Sequence, residues 1–156
     1  MKEAIQLDDI DVRLIRALQE DADLSHAALA ERVGASSASC WRRIRSLEQS
    51  GLLKGAVRLV DAERLGRGVN VMLQVRMKSQ STDIRSSFEA FVQTRPEIME
   101  CYSMSGEWDY LMRIVVTDVA DYERFLMRDM LNHPNVSTST SYFALGQVKY
   151  ITALPI

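Results

Sequence analysis

Cysteine is almost missing from this chain of 156 residues: Cys40 and Cys101 are the only two, far apart and without CxxC spacing. That excludes a disulfide framework and a cysteine-based zinc site, and leaves two free thiols expected to be buried. Histidine is equally scarce. His26 and His133 stand isolated, with no Ser-His-Asp grouping, no metal cluster and no phosphate-binding glycine loop elsewhere. The expectation is therefore a protein that is not an enzyme and holds no cofactor or metal, with His133 before Pro134 an ordinary loop residue. No apolar run approaches a membrane span, and the opening M-K-E-A-I-Q-L-D-D-I-D has no apolar core of a secretion signal. The chain reads as cytoplasmic, with no membrane partner. A formal charge of −2 gives no overall positive field. What is present, 47% apolar and 26% charged residues, suits one globular domain or two small ones.

The positive charge is concentrated. Between Arg32 and Arg58 six cations (Arg32, Arg42, Arg43, Arg45, Lys54 and Arg58) face one carboxylate, Glu48. The centre of this window, Ser36 to Gly51, has helical spacing. Cys40, Ile44 and Leu47 fall on one side, Ala38, Arg42, Arg45 and Gln49 on the other, and Trp41 on the flank. Ser36 suits an N-cap and Gly51 a stop. Upstream, Leu7, Ile10, Leu14 and Leu18 mark a first helix, and Ser25 opens a second with Ala28, Leu29 and Val33 inward. Gly34-Ala35 is a tight connection, so the second and third helices form a helix-turn-helix. Leu52 to Leu59 reads as two short strands around Gly55, a wing.

So small a core does not need these arginines for packing, and phosphate neutralisation explains their clustering better. The third helix would enter the major groove of double-stranded DNA. The expected DNA-facing set is Ser36, Ser37, Ala38, Trp41, Arg42, Arg45, Lys54 and Arg58. Arg43 points to the core edge, where pairing with an acidic neighbour competes with DNA contact. Trp41 is open between packing and the DNA face.

Residues 60–68, polar and holding Gly66 and Gly68, read as a hinge between a module at 1–59 and a second domain at 69–156. Val69 to Met77 alternates as a half-buried strand. Ile84, Phe88, Phe91 and Val92 give a helix. Strands follow at about Glu97 to Met104 and Tyr110 to Val116, with Gly106-Glu107-Trp108-Asp109 as the turn. A helix opened by Asp118 and a strand from Val136 to Ala144 complete β-α-β-β-α-β, with Val148 to Ala153 as an extended tail. The fold class is α+β: a winged helix-turn-helix followed by a ferredoxin-like domain. Its uncovered sheet face, carrying Met72, is expected to be apolar and to pair with a second copy.

Five motifs in order resemble the Lrp/AsnC (feast/famine) family of bacterial transcriptional regulators. They are Leu7-Asp8 … Asp11 … Leu14-Ile15 … Leu18; Ser36 … Cys40-Trp41-Arg42-Arg43-Ile44 … Leu47-Glu48 … Gly51; Pro96-Glu97-Ile98-Met99-Glu100-Cys101; Gly106-Glu107-Trp108-Asp109-Tyr110-Leu111; and the ending from Val148 to Ile156. The resemblance implies a dimer that assembles further, commonly to an octamer, and a small effector, typically an amino acid, bound at contacts between dimers. Carried over, the effector positions are Tyr102, Gly106, Glu107, Trp108, Asp109, Tyr142 and Phe143. For Asp109, turn chemistry alone is the competing explanation. Ser37, Ser39 and Ala62 stand where related proteins often have proline. Details such as Cys40-Trp41 resemble the branch that includes regulators of cysteine breakdown. Two other functions compete with regulation: DNA compaction, and a stand-alone amino-acid-binding or metabolic domain.

Overall fold

The computed structural model describes residues 6–156; Met1–Ile5, where the expected 1–59 module begins, lie outside the described residues. The chain forms two compact units, Met1–Leu59 with Val148–Ile156, and Val60–Gln147.

The first unit holds helices α1 (Asp9–Glu20), α2 (His26–Val33) and α3 (Ser37–Gln49). Each begins where a side-chain oxygen meets otherwise orphaned N–H groups. Asp8 accepts from the amides of Ile10 and Asp11, and Asp11 accepts from the Asp8 amide in return, a reciprocal capping box. Ser25 and Ser36 cap α2 and α3 through the amides of Ala28 and Ser39. Gly34, at φ +71°, turns the chain from α2 into α3 in a conformation that favours glycine. Leu14, Ala17, Leu29, Val33 and Cys40 form the core, with Ile10, Leu18 and Ile44 against it.

Two expectations fail in this unit. The segment after α3 forms no strands: Leu52 and Leu53 both donate to the Leu47 carbonyl, and residues 54–59 run exposed with no ladder. So short a ribbon is marginal by itself, and Val57 and Leu59 have no apolar surface to cover. The tail Val148–Ile156, expected within 69–156, belongs instead to this unit. Gln19 brackets the Leu154 backbone, accepting its N–H at 2.6 Å and donating to its carbonyl at 3.2 Å. Arg16 Nε donates to the Ile156 carbonyl at 2.8 Å. A glutamine amide carries the donor and acceptor that a paired strand would offer, which lets a helix side chain hold an extended tail.

The second unit begins with residues 60–68. In this segment, read from the sequence as a hinge, the chain forms a turn in which Asp61 accepts from Leu65 and Ala62 from Arg67 through their backbones. Four strands follow: β1 (Val69–Met77), β2 (Ile98–Ser103), β3 (Tyr110–Val116) and β4 (Val136–Phe143). They make one antiparallel sheet in the order β2-β3-β1-β4. Helix α4 (Thr82–Gln93), and α5 (Val119–Phe125) with a π-helical turn over Leu126–Met130, complete the β-α-β-β-α-β order. Val71, Leu73 and Val75 lie opposite Ile114, Met112 and Tyr110 and pack under Phe88, Val92, Tyr122, Phe125 and Met130. His133 stacks against Phe88 and Phe91, a packing role.

The uncovered face is more polar than expected. Arg113 donates to Glu100 at 2.7 Å and to Asn70 at 3.3 Å, and the Tyr102 hydroxyl donates to Glu100 at 2.8 Å. Met72 and Leu111 share this face with Gln74, Arg76, Thr138 and Thr140. The alternation in β1 was read correctly; what period two does not reveal is that the partner strands answer it with charge. Arg113 and Tyr102 hold the Glu100 carboxyl below its ordinary value, the tyrosine hydroxyl contributing most.

Candidate nucleic-acid interface and effector turn

Burying Cys40 and Leu47 turns the opposite side of α3 outward. Ala38, Arg42 and Arg45 are exposed on it, Trp41 is exposed on the flank, and Ser37 is exposed at the helix N-terminus. Trp41 is 52% exposed and lies outside the core of this unit. The Arg45 guanidinium lies 5.7 Å from the Trp41 ring centroid, a cation–π arrangement, and 3.6 Å from Glu48. Arg42 has no carboxylate within 4.0 Å among the described residues, and neither does Lys54. Arg58 is exposed and pairs with Asp23 at 2.9 Å. The Ser36 oxygen is occupied by its cap, so its hydroxyl hydrogen is what it has left to give a phosphate.

Arg43 turns the other way. Its guanidinium donates to Asp8 and Asp11, at 2.7 Å each, clasping α3 to the first turn of α1. The Asp11 backbone N–H, with Arg43 beside it, holds the Asp8 carboxyl below its ordinary value. Hydrogen bonds to Asp11 and then Asp8 raise the arginine in turn. The open alternative for Arg43 thus resolves as an ion pair.

At one end of the sheet, Gly106 sits at φ +139°, a conformation that favours glycine. Arg76 donates to the Glu107 carbonyl and carboxylate, at 3.1 and 2.7 Å, and its guanidinium lies 5.2 Å from the Trp108 ring centroid. The Asp109 carboxylate accepts from the Met77 amide at 2.6 Å and from the Gln80 side chain. The turn is therefore fastened to the end of β1 by its own polar groups.

The seven expected effector positions do not converge in one chain. Tyr102 lies on β2 and Tyr142 on β4, the two edge strands, roughly 14 Å apart at ordinary strand spacing. Phe143 faces the helices, edge-on to Tyr122 at 5.3 Å, because neighbouring strand residues point to opposite faces.

Residues 70–154 match the Lrp/AsnC ligand binding domain, and residues 7–54 match a winged helix-turn-helix DNA-binding domain. The chain belongs to the Lrp/AsnC family. The DNA-binding transcriptional activator DecR of Escherichia coli strain K12 is 40% identical over 150 residues, covering 96% of this chain and 99% of that one. A crystal structure of an AsnC family transcriptional regulator from Agrobacterium tumefaciens superposes with TM-score 0.90 at 39% identity, covering 96% and 97% of the two chains. A transcriptional regulator from Neisseria meningitidis, solved as a complex with L-Met, gives TM-score 0.91 at 32% identity over the same shares.

This Lrp/AsnC chain is thus a DNA-binding transcriptional regulator by family, and the expected architecture is the family's. Sequence reading missed Arg76 and Gln80, which hold the Gly106–Asp109 turn. Arg76 does break the apolar end of β1 with a charge, a signal that was available. Gln80 lies in a polar linker and gives none. No helix among the described residues is long and apolar enough to cross a membrane.

Proposed function

We propose that this regulator binds DNA through the outer face of α3 and changes its occupancy or assembly in response to an amino acid. The observation that carries the reading is the separation of the arginines: Arg43 is spent on α1, while Arg42 and Arg45 stand outward beside Trp41. Ser37 and Ala38 reach base edges near the helix N-terminus; Arg42, Arg45, Lys54 and Arg58 meet phosphates or guanines. The protein acts in the cytoplasm as a dimer paired over the uncovered sheet face, because paired half-sites need paired readers, and dimers assemble further. The effector binds the Gly106–Asp109 turn where dimers meet, the partner copy supplying what one chain does not bring there. The L-Met complex of the Neisseria relative supports an amino acid as the ligand class.

The test is binding of the purified protein to its own upstream DNA, with a scrambled fragment as competitor, across a salt series and with each free L-amino acid. Selective, salt-sensitive binding shifted by at least one amino acid is expected. Equal affinity for both fragments would sink the regulatory reading and favour DNA compaction.

A further inference from the structure

Helix α4 and the edge strand β2 leave a groove of about 250 Å³ lined by Glu89, Val92, Gln93, Cys101, Ser103 and Tyr110. It lies on the helix-covered side of the sheet, since Cys101 pairs with Met112 and Ser103 with Tyr110 in register. Its polar groups are ordered. The Tyr110 hydroxyl donates to Glu89 Oε1 at 2.8 Å. Arg85 donates to Ser103 Oγ at 3.0 Å, bridging α4 to β2 at one end. Arg85 and Glu89 are four residues apart on one helix face, about 6 Å along the axis, yet form no ion pair with each other or with another described residue. Both engage neutral hydroxyls: Glu89 accepts from Tyr110, and Arg85 reaches Ser103 and the same Tyr110 hydroxyl, so a phenol stands between the two charges.

A carboxylate that lines the groove and a guanidinium at its rim, joined to it through Ser103, match a molecule carrying both charges. We propose that this groove is a second small-molecule site that takes a free α-amino acid. Its carboxylate meets Arg85 and the Ser103 hydroxyl, its ammonium meets Glu89 and the Gln93 side-chain carbonyl, and its side chain lies over Val92 and Cys101. The site rests on the effector-responsive reading above but is separate from the Gly106–Asp109 turn. The volume admits small and medium amino acids. Binding is not covalent: burial, with Glu89 nearby, pushes the Cys101 thiol up to about 11, so it stays protonated near neutral pH.

Cys101 then serves as a reporter, because Cys40 is fully buried. The full chain is alkylated with iodoacetamide under native conditions, and the Cys101 peptide is quantified by mass spectrometry against a panel of the twenty L-amino acids. At least one should slow alkylation about tenfold when present at about ten times its Kd. The matching amine and carboxylic acid, each lacking one charge, should not. Protection should be lost in Arg85→Gln and Glu89→Gln, with folding checked by circular dichroism, and kept in Asp109→Asn. The proposal is overturned if no amino acid protects Cys101, if a singly charged analogue protects equally, or if both groove variants keep protection. An amino-acid effect on DNA affinity that survives in the groove variants leaves the turn reading standing, so the two proposals fail separately.

Discussion

Arg42→Ala offers the most direct test of the α3 interface. Arg42 is exposed and carries no carboxylate partner among the described residues, so its charge is available without breaking an ion pair. Each phosphate neutralised contributes about 0.9 to the slope of log K against log salt on duplex DNA. A two-fold pair carries two copies, so Arg42→Ala should flatten the slope by about 1.8. Across a threefold rise in salt the variant then loses roughly sevenfold less affinity than the parent. Fluorescence anisotropy of the labelled upstream fragment over a salt series measures this directly. Arg42→Lys separates the two possible contacts. A phosphate contact keeps the parental slope, whereas a bidentate guanine contact keeps the charge but loses about 1–3 kcal/mol of selectivity at one base pair. If Arg42→Ala changes neither slope nor selectivity, α3 does not meet DNA through this face, and the reasoning that assigned it is wrong.

Arg43→Gln should lower the urea midpoint of the first unit while leaving the salt slope per bound copy unchanged; a flattened slope would place Arg43 on DNA instead. Phe88, on the inner face of α4, is fully buried against the sheet, so Phe88→Ala should cost about 3–5 kcal/mol in chemical denaturation. Burial lowers the His133 imidazole from its ordinary value of 6.5, so the folded chain binds fewer protons there than the unfolded chain. Its contribution to stability is therefore full above pH 6.5 and falls away as the pH drops below it; His133→Gln should flatten that part of the stability–pH curve. Asp109→Asn keeps an acceptor for the Met77 amide but removes the charge, so it should preserve the fold and abolish the amino-acid effect on DNA affinity. A preserved effect would leave Asp109 a turn residue only.

Much of the architecture was legible because local signals and tertiary burial agreed. The strand expected from Tyr110 to Val116 has those bounds, since its alternation is matched by a packed face on one side. The third helix, Ser37–Gln49, is capped by Ser36 and stopped before Gly51 as expected, because an N-cap oxygen and a left-handed glycine are local chemistry. Choices of partner were not legible. Arg43 had several acidic residues within reach in sequence terms, and only the folded approach of α3 to α1 selects Asp8 and Asp11. The tail after Val148 reads as extended, correctly, but period two says nothing about whether a strand or a glutamine side chain accepts it. Counting charge in a window fails for the same reason: Arg32 pairs with Glu20 and Arg58 with Asp23, both of which precede the window. These exposed pairs contribute little and can yield to phosphates, whereas the half-buried Arg43 pair cannot do so without leaving two carboxylates behind.

The same distinction bears on the Gly106–Asp109 turn. Asp109 already accepts two hydrogen bonds, but a carboxylate has about four lone-pair sites, so occupancy does not exclude a ligand. The two bonds differ in what breaking them costs. Releasing the partly buried Met77 amide would strand a backbone donor at the bulged end of β1, at a cost of about 1–3 kcal/mol. The Gln80 side chain is exposed and can turn to water with little loss. A ligand ammonium would therefore replace Gln80 and leave Met77 in place. Gln80 immediately precedes Ser81, the N-cap residue of α4, so that exchange frees the lead-in to the helix that carries Arg85 and Glu89.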